Sequence, residues 1–124
     1  MEFLLKIGGS LVNHPEAFKN LIANLQEWFK NKKYAIITGG GILADKVRDF
    51  YQIYGLSEDN AHWMAIKTQD ILASLINSMM ENSILIEDLS KMKGIHQNTI
   101  PIIEPYNILR KTGDRLRQES CLKT

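Results

Sequence analysis

Lys6 stands two residues ahead of Gly8-Gly9-Ser10, and Thr38 leads directly into Gly39-Gly40-Gly41. Each glycine cluster ends a short apolar run. Glycines let successive backbone N–H groups turn toward one anion with no Cβ in the way. A helix N-terminus behind such a loop adds about half a positive charge, and Lys6 supplies a whole one. Phosphoryl transfer requires these parts: fixed donors and a lysine around the oxygens of the moving group. A lone GG or GGG after a strand is more often a plain tight turn. Two clusters on consecutive strands, one with a lysine beside it, favour phosphate. Neither is a Walker loop, since GxxxxGK(S/T) is absent, and the absence of GxGxxG weakens a dinucleotide reading.

The elements that must position these residues are legible in the apolar spacing. Residues 2–7 and 34–38 read as strands buried on both faces, each stopped by its glycines. Residues 15–31 carry Phe18, Leu21, Ile22, Leu25 and Phe29 at helical spacing, with Pro15 in the first turn and Asn13 or His14 as cap. A second helix is predicted over 42–54, closed by Gly55, and a third over 57–81, opened by Ser57 with Glu58 and Asp59 behind it. Residues 83–86 and 99–103 read as further strands, the last placed near an edge by Pro101. Strands alternating with helices imply an α/β fold with a parallel sheet and helices on its faces, joined by right-handed crossovers. In such a sheet both glycine clusters fall at the carboxyl ends of strands, where ligands bind.

The remaining composition excludes more than it names. The chain has 124 residues, 44% apolar and 23% charged, which suits one globular domain with a real core. Fifteen Lys and Arg against fourteen Asp and Glu leave a net charge of +1, so no footprint for nucleic acid or an anionic membrane is expected. A lone Cys121 excludes an internal disulfide framework and a Cys-rich zinc site. His14 and His96 have no acidic partner at ligand spacing, so no metal site from protein residues is expected. With no signal peptide and no long apolar run, a cytoplasmic protein is expected. From residue 110 to 124 the text turns polar, and a loosely attached tail is expected after a folded unit over 1–109.

Lys6-x-Gly8-Gly9-Ser10 followed by Thr38-Gly39-Gly40-Gly41 resembles the amino acid kinase superfamily, over residues 2 to about 109. The continuation, Ala44-Asp45-x-Val47-Arg48, Gly55-Leu56-Ser57 and Ala61-His62-Trp63-Met64-Ala65-Ile66, is most similar to one branch. That branch is the [5-(aminomethyl)furan-3-yl]methyl phosphate kinases of methanofuran biosynthesis. The resemblance implies a three-layer α/β/α sandwich with a mainly parallel sheet, and ATP with its bound Mg2+ as phosphoryl donor. It implies that Lys6 is catalytic and bridges donor and acceptor phosphates, while Gly8, Gly9 and Ser10 hold the transferred group. Gly39, Gly40 and Gly41 match the acceptor loop. Asp45 and Arg48, one helical turn apart, pair with each other or face the acceptor, and family position favours the acceptor. His62 would hydrogen-bond an acceptor phosphate; Trp63 reads as packing. The helix over 57–81 carries apolar residues on more than one side, and the corresponding family helix pairs two subunits, so a homodimer is expected.

Family members are longer, and their second half carries the nucleotide-binding sheet and further donor-phosphate ligands. This sequence therefore reads as the acceptor half only: a truncated product, a fragment, or a half whose partner is a separate chain. The functional reading is a small-molecule kinase acting on a phosphate or carboxylate acceptor. Two others stand beside it: an incomplete half-domain that binds an anionic small molecule or a partner chain, and a flavodoxin-type module in which GG and GGG are only turns.

Overall fold

A computed structural model describes residues 3–96 and 98–113 of the chain. In chain order the elements are β1 (Phe3–Ile7), α1 (Pro15–Trp28), β2 (Tyr34–Thr38), α2 (Gly41–Tyr54), α3 (Glu58–Met79), β3 (Ser83–Ile86) and β4 (Ile100–Ile103). A last helix, α4, covers 105–113. Short 3-10 helices at Gly9–Asn13 and Leu89–Gly94 follow β1 and β3. The strands form one four-stranded sheet in the order β1-β2-β4-β3, and every neighbouring pair is parallel. This is the α/β architecture with flanking helices that the alternation of elements implied.

The inner strand β2 explains its own sequence. Tyr34, Ala35 and Ile36 are consecutive and all buried, which only a strand covered on both sides allows. Ile36 and Ile102 are fully buried and paired across β2 and β4. Onto them pack Phe18, Ile22 and Leu25 of α1, and Ala73 and Ile76 of α3. Burying one such side chain contributes about 1.5–3 kcal/mol. Phe3, Phe29 and Tyr34 extend this core toward the amino ends of the strands, with ring centroids 5.1 to 5.5 Å apart. On the opposite face of the two edge strands, Leu4 and Ile84 are exposed.

The helix ends follow the signals in the sequence. Ser57 caps α3 by accepting the Asn60 N–H at 3.1 Å, with Glu58 and Asp59 in the positive first turn. Gly55 closes α2 in the left-handed conformation, at φ 63°. His14 sits at the cap of α1, ahead of Pro15, but makes no side-chain cap bond. α1 stops at Trp28 rather than at residue 31; Asn31 takes φ 68°, which a helix cannot continue.

Two expectations need correction. β4 is an inner strand, not an edge, despite Pro101. The amides of Ile100 and Glu104 bond toward β3, to Asn82 and Ile86 carbonyls at 2.8 Å each. Alternation turns the nitrogen of residue 101 toward β2 instead. There β2 and β4 register at the single pair Ile36–Ile102, so the missing proline donor costs no ladder bond. Second, α4 runs through residue 110, where the polar tail was expected to begin. The rest of that tail, with Cys121, lies outside the described residues.

Candidate functional site

Both glycine loops lie at the carboxyl end of the sheet and touch each other through their backbones. β1 and β2 run in register, Lys6 beside Ile37 and Ile7 beside Thr38, and the Gly39 N–H donates to the Ile7 carbonyl at 3.3 Å. A Cβ on Gly9 would fall on the Gly41 amide nitrogen and lie 2.7 Å from its Cα. A Cβ on Gly41 would fall on the Gly9 carbonyl oxygen, and Gly41 also holds φ +57°. Neither position has room for any other residue. Gly8, in extended conformation, has no atom within 4 Å of its ideal Cβ. Its openness leaves that side of the loop clear, while Gly9 and Gly41 form the seam.

Gly41 opens α2, and no side chain caps the helix at Gly40. The positive helix end therefore points out of the second loop beside the first. Lys6 is exposed two residues before Gly8, and makes no ion pair among the described residues. Ser10 is exposed in the 3-10 turn that follows Gly9. Beneath Gly40 sits Thr68, a buried residue of α3. Its hydroxyl occupies the place a Gly40 Cβ would take, and donates to the Ala65 carbonyl at 2.5 Å. Thr68 thus fixes how closely α3 approaches the loop. The sequence offered no sign of it beyond a threonine in an apolar helix.

A cleft of about 370 Å3 opens between α2 and α3, lined by Ala44, Arg48, Glu58, Ala61, His62 and Ala65 among others. The alanines make the room. Ala44 links cleft to loop, its Cβ lying 2.6 Å from an ideal Cβ on Gly40. Arg48 and His62, picked out separately in the sequence, therefore line one cavity, and its wall residue Ala44 abuts the second glycine loop. Asp45 does not line it; its carboxylate accepts from Arg48 Nη1 at 2.6 Å, with both side chains largely exposed. Such a pair is worth about 0–1 kcal/mol, weak enough for Arg48 to turn to a stronger anion.

Around the corner of α3, Trp63 packs among His62, Tyr106 and Arg110, the guanidinium 4.5 Å above its ring. Asp70 accepts the Tyr106 N–H at 3.2 Å and so holds the first turn of α4. Burial pushes the Asp70 carboxyl above its ordinary range, with the nearby Glu87 charge adding to it. Glu104 is also raised, by burial first and then by Asp70 and Glu87. Sequence reading missed this group. Pro105, at the first position of a helix, was the available signal. Among the described residues, no three His, Cys, Asp or Glu side chains converge as a metal site.

Comparison with known proteins agrees with this geometry. The model of the amino acid kinase family matches residues 1–120. The [5-(aminomethyl)furan-3-yl]methyl phosphate kinase of Methanocaldococcus jannaschii is 31% identical over 111 residues, covering 88% of this chain and 50% of that protein. The crystal structure of uridylate kinase from Archaeoglobus fulgidus superposes with a TM-score of 0.71 at 20% identity, over 83% of this chain and 50% of that one. The chain thus spans about half the length of these relatives. With its paired glycine loops on a parallel sheet and a family match across nearly all of its length, the chain belongs to the amino acid kinase family.

Proposed function

We propose that this chain is the acceptor-binding half of a small-molecule kinase, which transfers the γ-phosphoryl group of ATP to a phosphate or carboxylate acceptor. One observation carries the reading: the two glycine loops meet backbone to backbone beside Lys6, and Ala44, packed against Gly40, lines the cleft that holds Arg48 and His62. Gly8, Gly9 and Ser10 with Lys6 would hold the transferred phosphoryl group. Gly39, Gly40 and Gly41 with Arg48 and His62 would seat the acceptor; Asp45 would release or orient Arg48. The residues fit the phosphate end of ATP, since a seam that any Cβ would fill leaves backbone donors as its lining. ATP supplies the phosphoryl group and carries Mg2+ with it. The protein's part is positioning and charge neutralisation, with no covalent intermediate.

The similarity to the M. jannaschii protein favours a phosphate acceptor of the [5-(aminomethyl)furan-3-yl]methyl phosphate type, as in methanofuran biosynthesis. The direct test is transfer from ATP to that acceptor by this chain together with a complementary second half of the domain. Diphosphate formed only when both are present, and lost with Lys6→Ala, supports the reading. Transfer that ignores Lys6 refutes the role given to it.

A second reading has its own support: a half-domain that binds an anionic small molecule or a partner chain without catalysis. The chain spans half its relatives, and Leu4 and Ile84 are exposed on the sheet. Pairing of two copies through α3 belongs to either reading. Ile71 and Leu75 lie outward at 56% and 37% exposure, whereas Leu72 at 4% faces the core.

A further inference from the structure

We propose that the opposite end of the sheet carries a second anion site, a basic cavity that takes a phosphorylated small molecule. A cavity of about 590 Å3 lies at the amino ends of β2 and β4, between the loop after α1 and the segment leading into β4. Lys30, Lys32, Lys33, Lys93 and His96 line it, and among the described residues no Asp or Glu does. That imbalance is unusual for a chain with nearly equal numbers of acidic and basic residues. Lys30, Lys33 and Lys93 make no ion pairs among the described residues. Gathering like charges around one hollow costs free energy that a bound anion relieves.

The histidine is set up to contribute. The Asn98 N–H donates to His96 Nδ1 at 3.3 Å, so the neutral ring keeps its proton on Nε2, the remaining donor. Phe29, Met92, Ile95 and Pro101 line the same cavity and make its wall partly apolar. Charged donors together with apolar side chains suit an organic phosphate better than a bare ion. This site lies at the far end of the strands from the glycine loops, so a ligand here does not compete for the proposed transfer site.

The test is amide chemical-shift mapping on the full chain with pyrophosphate and with phenyl phosphate. The titration should reach about 10 mM, ample for a Kd of about 1 mM. Shifts are expected at residues 32–34, 93–96 and 98–100, besides any at the glycine loops. Lys33→Ala and Lys93→Ala should each weaken binding at this end about fivefold, the factor for one unit charge at about 4 Å in water. Lys6→Ala should leave it unchanged. Phenyl phosphate should additionally move the Met92 methyl resonance. Shifts confined to residues 8–10 and 39–41, or shifts at the basic end that survive both lysine replacements, would overturn the second site and leave the kinase reading standing. Loss of the glycine-loop shifts alone would do the reverse.

Discussion

Replacing Gly41 by alanine attacks the seam on which the site depends, and its cost can be worked from the backbone. Gly41 holds φ +57°, where an L-residue costs roughly 1–2 kcal/mol. Its Cβ would also fall on the Gly9 carbonyl oxygen, with the Gly9 carbonyl carbon at 2.7 Å. These are backbone atoms tied into β1 and the 3-10 turn, so the loop must move as a unit. Overpacking of this kind adds roughly 1–3 kcal/mol. The sum is about 2–5 kcal/mol, a large share of the roughly 5–15 kcal/mol that holds a domain folded. Two internal controls separate the contributions. Gly55 has φ +63° but open space around its Cβ, so Gly55→Ala should show only the conformational cost, about 1–2 kcal/mol. Gly8 has an ordinary conformation and open space, so Gly8→Ala should stay within about 0.5 kcal/mol of the parent. Urea unfolding followed by circular dichroism gives the three midpoints at unchanged slope. The order Gly8, Gly55, Gly41 in rising cost is predicted. Gly41→Ala no more costly than Gly55→Ala would show that the loops do not touch as described.

In the completed domain, Lys6→Ala should lower kcat about a hundred- to a thousandfold and change KM little, because the lysine meets charge best balanced in the transition state; steady-state kinetics giving under about fivefold would make it a bystander. Ile71→Glu or Leu75→Glu should dissociate a dimer built on α3 while the chain stays folded, whereas Leu72→Glu should unfold it; sedimentation equilibrium and circular dichroism tell these apart, and a monomeric parent chain would refute the pairing. Burial raises Asp70 and Glu104, so the folded chain binds more protons than the unfolded one between the ordinary carboxylate range and the raised values. Their contribution must therefore grow as pH falls through that window and be lost as pH rises. Glu104→Gln should accordingly raise the melting temperature near neutrality and flatten its pH dependence; a lower Tm at every pH would contradict this.

Much of the arrangement was legible because local chemistry and fold agree. The apolar run at 34–38 and its glycine stop specify a buried strand and a helix start in the same few residues. Ser57 and Gly55 mark ends that the backbone then adopts. Pro101 misled because its ring was weighed without the alternation of a parallel ladder, which turns its nitrogen away from β3. Arg48 and His62 were identifiable singly, yet their shared cleft depends on how α2 packs on α3, with Thr68 of α3 lodged under Gly40. No one-dimensional pattern carries a contact between residues so far apart. α4 was overlooked because a polar sequence gave no stripe to follow; its place comes from Asp70 and Trp63, on another element.

The central claim is that the glycine seam and the α2–α3 cleft together hold phosphates. Amide shift mapping of the isotope-labelled chain with [5-(aminomethyl)furan-3-yl]methyl phosphate tests it most directly. The account predicts saturable shifts at Gly8, Gly9, Ser10 and Gly39 to Gly41, extending to Arg48 and His62, and weakened by Arg48→Ala. A folded chain whose loops and cleft stay unmoved while the ligand binds elsewhere would contradict it.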